Sequence, residues 1–171
     1  METKYLILSI SMLGIVAAGC SEKENKISPQ TNITTMEATS QNAKKVVRNF
    51  YESINEYNPQ KSFDDYIADS LINYAGGGNV GRNGWLESEK ITLAALSNVK
   101  VTILDQVVEG NKVVTHWTYE GTHTAPFYGK PATGNHIRLE GITIDVVENG
   151  KIVEHNLVAD ETQFLQQFEK K

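Results

Sequence analysis

"HIRLEGITIDVVENGKIVEHNLVAD", residues 136–160, alternates apolar and polar side chains on both sides of a single Asn149-Gly150 pair. A period of two marks a strand with one buried face, and Asn-Gly accepts the positive φ angles of a two-residue turn. The stretch therefore reads as a hairpin turning at Glu148-Asn149-Gly150. Just upstream, "VKVTILDQVVEGNKVVTHWTYEGTH", residues 99–123, has the same form, with strands over 99–108 and 112–123 and a turn at Glu109-Gly110-Asn111. Two successive hairpins imply an antiparallel sheet.

Toward the N-terminus the period changes. In "AKKVVRNFYESINEY", residues 43–57, Val46, Val47, Phe50, Tyr51, Ile54 and Tyr57 recur at helical spacing until Asn58-Pro59. "SFDDYIAD" follows as a short second helix, with Ser62 and Asp65 spaced as a capping-box variant. "SLINYA" reads as a brief strand, "GGGNVGRNG" as a flexible loop, and "WLESEKITLAALS" as a third helix carrying Trp85, Leu86, Ile91, Leu93 and Leu96. "ETQFLQQFEKK" closes the chain as a short amphipathic helix. Helices first and hairpins afterwards give an α+β fold, with the helices packed on the concave face of a curved antiparallel sheet. Such a cone encloses a small-molecule pocket at its open end.

The first 20 residues, "METKYLILSISMLGIVAAGC", place an apolar run from Tyr5 to Val16 after Lys4 and end in Ala17, Ala18, Gly19 and Cys20. The run is too short to span a bilayer and has the flanks of a signal peptide. Small residues before the lone cysteine resemble a bacterial lipobox, in which Cys20 is lipidated and becomes the mature N-terminus. The expected organisation is a signal peptide over 1–19, a polar disordered tether over 20–42 and one domain over 43–171. The protein is then anchored by lipid to the cell envelope, and Ser21 after the cysteine favours the outer membrane where one exists. No thiol remains for a disulfide in the mature domain, so its stability rests on core packing. A formal net charge of −5 and scattered basic residues exclude a nucleic-acid partner.

Between the hairpins lies "GTHTAPFYGKPATGN", residues 121–135, too long for a tight turn. With the flanking strands it resembles the SnoaL-like polyketide cyclase (ester cyclase) family. That family's pattern is a "GTHTG-x-F-x-G-x-PPTG" loop, then a hairpin ending in "DGKIVEHW" and an Asp a few residues later. The resemblance covers roughly residues 44–168. It implies the cone-shaped fold of the nuclear-transport-factor-2-like superfamily, ring closure by intramolecular aldol chemistry with an acidic side chain in an apolar pocket, and no cofactor. This chain departs from the pattern at Asn156, where Trp is usual, at Ala125 in "GTHTA", and at Tyr74, where His is common.

Asp160 matches the family's acidic position and follows "NLVA", so a desolvated carboxylate there would be a competent base. It also stands directly before "ETQFLQQF", where it would serve as a helix N-cap. Tyr74, Trp85, Trp117, His123, Phe127 and Asn156 are the candidates for substrate contact, although His123 suits a loop-shaping role and the tryptophans suit core packing. His155 lies opposite Asn156 and reads as a surface or interface residue, as does His116. The four histidines have no zinc spacing, so no metal is expected. The expected partners are a small hydrophobic molecule and, through the anchor, a membrane; a homodimer is left open. The rival to catalysis is a binding protein of the same fold.

Overall fold

The computed structural model describes residues 29–74 and 80–169; Cys20, the run before it and the start of the expected tether lie outside the described residues. Helix α1 spans Pro29–Ser53 and tightens into a 3-10 turn over Ile54–Glu56. Its buried stripe is Ala43, Val47, Phe50, Tyr51 and Ile54. Full burial of each large member contributes about 1.5–3 kcal/mol. Val46 is only partly buried. Tyr57 is exposed and ends the helix in the left-handed region at φ 57, while its hydroxyl accepts the Val99 N–H.

Several boundaries differ from the sequence expectation. Residues 29–42 were expected to be structureless but continue α1, with Ile33 and Met36 exposed. Once the anchored part is nucleated, each added residue gains a backbone hydrogen bond, and no glycine or proline interrupts the run after Pro29. Helix α2, Pro59–Tyr66, is capped by Asn58, which accepts from the Lys61 N–H at 3.2 Å. Ser62 is not the cap: it is buried one turn in, with its hydroxyl donating to the Asn58 carbonyl at 3.2 Å. Pro59 decides this, because its fixed φ and missing N–H suit the first helical position.

Strand β1 covers Ile67–Asn73 and helix α3 Gly81–Ala95, so the end of the expected glycine loop is the first turn of α3. Strands β2 (Leu96–Glu109), β3 (Lys112–His123), β4 (His136–Glu148) and β5 (Lys151–Ala159) follow, and then helix α4 (Glu161–Gln166). The sheet order is β1-β5-β4-β3-β2. All neighbours are antiparallel except β1, which pairs parallel with β5, so the sheet is mixed rather than purely antiparallel. Register shifts in the β2–β3, β4–β5 and β1–β5 pairs bend it.

One face of the sheet carries the core. Registered rows on that face run Ile103–Trp117–Gly141–Ala159, Gln106–Thr115–Thr143–Leu157 and Val113–Asp145–His155–Asn73. Helices α1 and α3 cover these rows. The opposite face leaves Val107, Ile142, Ile144 and Val158 exposed.

Candidate functional site

The helices do not fill the cone. A cavity of about 520 Å³ remains between α1, α3, the sheet, the 124–135 loop and α4. Helix α3 turns Trp85, Ser88, Glu89 and Thr92 toward it, the i, i+3, i+4, i+7 stripe of a single helix face. Phe50, Tyr51 and Ile54 come from α1, and Trp117, Tyr119, His155 and Leu157 from the strands.

The long loop both lines the cavity and braces it. Phe127 and Lys130 exchange two backbone hydrogen bonds at 2.9 Å around Tyr128 (φ 44) and Gly129 (φ 81). That tight turn places Phe127 and Tyr128 in the wall. His123, in contrast, is fully buried outside the wall; its Nδ1 lies 3.0 Å from Thr133 Oγ1 and its ring meets Phe168 edge-on at 4.8 Å.

A buried polar chain begins and ends on the cavity. His155 Nδ1 is 2.7 Å from Asp145 Oδ1, Thr143 Oγ1 is 3.1 Å from Asp145 Oδ2, and Tyr51 Oη is 2.7 Å from Thr143 Oγ1. A carboxylate only accepts, so its neighbours must donate. Nδ1 of His155 therefore carries a hydrogen, and Nε2 is left as the basic nitrogen. The Thr143 hydroxyl is spent on Asp145, so Tyr51 donates to Thr143. Trp85 stacks on the His155 ring at 4.0 Å and 21°, and is itself held edge-on by Phe50 and Phe63. The imidazole is thus fixed in tautomer, plane and position.

Glu89 is a further ionisable group of the wall. Burial raises its carboxyl from 4.5 to about 7, against the opposing effect of a 3.2 Å hydrogen bond from the Tyr119 hydroxyl. Near neutrality it is therefore divided between acid and carboxylate. Burial, followed by the charges of Asp145 and Glu89, drives the Tyr51 hydroxyl well above its ordinary range, so Tyr51 remains a neutral donor.

Trp117 closes the floor beneath Tyr51, with the rings stacked at 6.1 Å. Gly141 on the neighbouring strand makes room for it: a Cβ there would lie 2.8 Å from Trp117 Cζ2 and 3.3 Å from Ala159 Cβ. The G141A variant is expected to lose about 1–3 kcal/mol by forcing a rigid ring aside. Urea denaturation measures the loss, and near-ultraviolet circular dichroism shows the displaced indole.

Among the sequence candidates, Trp85, Trp117 and Phe127 lie in the wall. The other four lie outside it. Tyr74 is half-exposed and gives its N–H to the His155 carbonyl at 2.9 Å. Asn156 is exposed on the uncovered face, and His123 braces the loop. Of the two readings of Asp160 the structure has the N-cap: its carboxylate is exposed and accepts the Gln163 N–H at 2.8 Å at the start of α4. The alternation was assigned to the wrong parity there, because His155 and Leu157 point inward while Asn156 and Val158 point out. D160A is expected to cost about 1 kcal/mol, the usual worth of a cap, and to leave ligand binding unchanged. Thermal melts and a binding titration check both halves. Glu89, Asp145, His155 and Tyr51 were missed as site residues. No three His, Cys, Asp or Glu side chains converge as metal ligands among the described residues.

A mixed sheet wrapped around a largely apolar cavity with buried ionisable groups defines a cone-shaped α+β domain. Residues 44–168 match the SnoaL-like polyketide cyclase family, and the chain belongs to it. No curated protein sequence matches the chain. Among solved structures, IdmH of Streptomyces antibioticus, a proposed polyketide cyclase, is 27% identical with a TM-score of 0.64, covering 73% of this chain and 96% of its own. TsrD of Streptomyces laurentii is 22% identical with a TM-score of 0.66, covering 77% and 97%. AclR of Streptomyces galilaeus, a proposed hydroxylase, is 18% identical with a TM-score of 0.67, covering 74% and 94%. The last two share the fold.

Proposed function

We propose that the domain is a cofactor-independent lyase or isomerase that moves protons on a small, largely apolar carbonyl compound. The observation that carries this reading is the His155–Asp145 pair, a base of fixed tautomer on the wall of an aromatic cavity. Nε2 of His155 removes a proton beside the carbonyl, and Asp145 stabilises the imidazolium that results. Glu89, half protonated near pH 7, supplies or takes up the balancing proton from the other wall. The aromatic side chains exclude water and bind a planar carbon skeleton. Family membership and the likeness to IdmH support carbonyl condensation as the reaction class.

The test is hydrogen–deuterium exchange at the α-carbon of 2-tetralone in D2O, followed by proton NMR. The wild-type domain is expected to accelerate exchange, with H155A losing about 100-fold or more. Binding of 2-tetralone with exchange at the protein-free rate would leave a non-catalytic carrier of hydrophobic molecules. For the full chain, the lipobox-like sequence at Ala17–Cys20 supports anchoring in the cell envelope. Palmitate labelling that persists in C20S would exclude it.

A further inference from the structure

Polar atoms on the cavity wall divide into those already spent and those left open. Tyr51 gives its hydrogen to Thr143, and Tyr119 gives its hydrogen to Glu89. His155 meets Asp145 through Nδ1 alone, and Glu89 meets Tyr119 through Oε1 alone. His155 Nε2 and Glu89 Oε2 therefore have no hydrogen-bond partner among the described residues, and neither is closed off from solvent as Trp117 Nε1 is. Both residues line the cavity, and His155 is only 3% exposed. The free nitrogen of an Nδ1–H imidazole and a carboxylate oxygen are both acceptors. These two atoms thus wait for donors.

Charge points the same way. The titratable groups that share the wall with Glu89 are Tyr51 of α1, Tyr119 of β3, Tyr128 of the loop, His155 of β5 and Glu161 of α4. No lysine or arginine is among the described lining residues. Behind His155 stands the fully buried Asp145, whose ion-pair partner is that imidazole. Eight of the described lining residues are aromatic, and the faces of such rings attract cations. Carboxyl groups set among aromatic rings, with no basic side chain to balance them, favour a cation and repel an anion.

We propose that the cavity takes a ring compound bearing a protonated amine, with the ammonium group seated at Glu89 Oε2. The proposal rests on this cavity being the functional site, as argued above, and gives its carbonyl substrate a basic substituent. His155 Nε2 stays free for the proton on carbon. An ammonium beside Glu89 favours the ionised carboxylate, because opposite charges stabilise one another. Bound in this way, Glu89 takes up the balancing proton rather than supplying it.

The test compares 2-aminotetralin, tetralin and tetralin-2-carboxylate, which share one skeleton and differ in charge, by isothermal titration of the protein at pH 7. The amine is expected to bind about tenfold more tightly than tetralin, and the carboxylate more weakly than either. E89Q keeps the shape of the side chain and is expected to bring the amine within about twofold of tetralin. A second readout needs no variant. Titrating the amine in phosphate and again in Tris counts the protons released on binding. About half a proton per amine is expected, since Glu89 is divided between acid and carboxylate at that pH, and none with tetralin. Equal affinity for amine and tetralin, tighter binding of the carboxylate, a preference unchanged in E89Q, or amine binding without proton release would each overturn the seat. Failure of all three probes to bind would overturn it as well. Amine preference without α-carbon exchange of 2-tetralone would keep the seat and remove the acid/base reading; exchange without amine preference would do the reverse.

Discussion

Replacing Asp145 with alanine is expected to destabilise the domain by about 3 kcal/mol, because it strands two buried donors at once, His155 Nδ1–H and the Thr143 hydroxyl. Asp145 is itself fully buried, so water cannot reach the gap without opening the sheet. D145N is a gentler and more informative change, at about 1–2 kcal/mol. Its amide oxygen still accepts from His155, but its nitrogen must donate to Thr143. The Thr143 hydroxyl then turns to Tyr51, and the Tyr51 hydrogen is released toward the cavity. Urea denaturation gives the two energies, and nitrogen-15 NMR reports the His155 tautomer, which is expected to be Nδ1–H in the wild type and to lose that fixity in D145A. A D145A domain within 1 kcal/mol of wild type would show that the chain from His155 to Tyr51 is not closed as described.

The second large effect is a pH-dependent one at Glu89. Its folded-state carboxyl is raised from 4.5 to about 7 by burial, so the folded protein holds this proton more tightly than the unfolded chain. The stability linked to that proton is complete below pH 4.5 and is lost as the pH rises toward 7. Above that the ionised group is a constant burden of at most roughly 3 kcal/mol, reduced in practice because the Glu89 side chain is only partly buried. E89Q keeps the shape and removes the charge. Its stability relative to wild type is expected to climb between pH 4.5 and 7 and to level off beyond, in urea melts at pH 4.5, 6 and 8. Parallel curves for the two proteins would mean that Glu89 is solvated.

How much of this could be read from the chain depended on how local the cause was. Asn149-Gly150 and the alternation beside it announced the β4–β5 hairpin, and β3 ran from Lys112 to His123 as the period required. The extension of α1 back to Pro29 was hidden because its exposed polar residues have no apolar period, and their helicity is inherited from the packed part that follows. Parity was the harder matter. Ile142, Ile144 and Val158 look like core residues yet lie on the uncovered face, while Thr143, Asp145 and His155 look like surface residues and are buried. Polar residues can occupy the inner rows because each bonds another, His155 with Asp145 across strands, Thr143 with Asp145 along β4 and with Tyr51 of α1, and such pairing follows from three-dimensional placement rather than composition. Glu89 was missed for a related reason. On a helix read by its Leu and Ile positions a glutamate suggests solvent, and only the cavity stripe from Trp85 to Thr92 gives it an inward role. The loop was legible as an important segment, but the sequence could not divide its labour between Phe127 in the wall and His123 behind it.

The 124–135 loop and the C-terminal segment hold each other in place. Lys130 Nζ donates to the Leu165 carbonyl at 3.3 Å and meets Glu169 Oε1 at 3.2 Å, while Asn135 Nδ2 donates to the Gln167 carbonyl at 2.8 Å. Phe127 stacks on Phe168 at 4.1 Å. These bonds join the loop to α4 and the turn after it, and Tyr128, Phe164 and Leu165 from the two joined segments stand together in the cavity wall. A chain cut after Asp160 is therefore expected to unfasten the 124–135 loop as well as remove α4, taking both from the same wall.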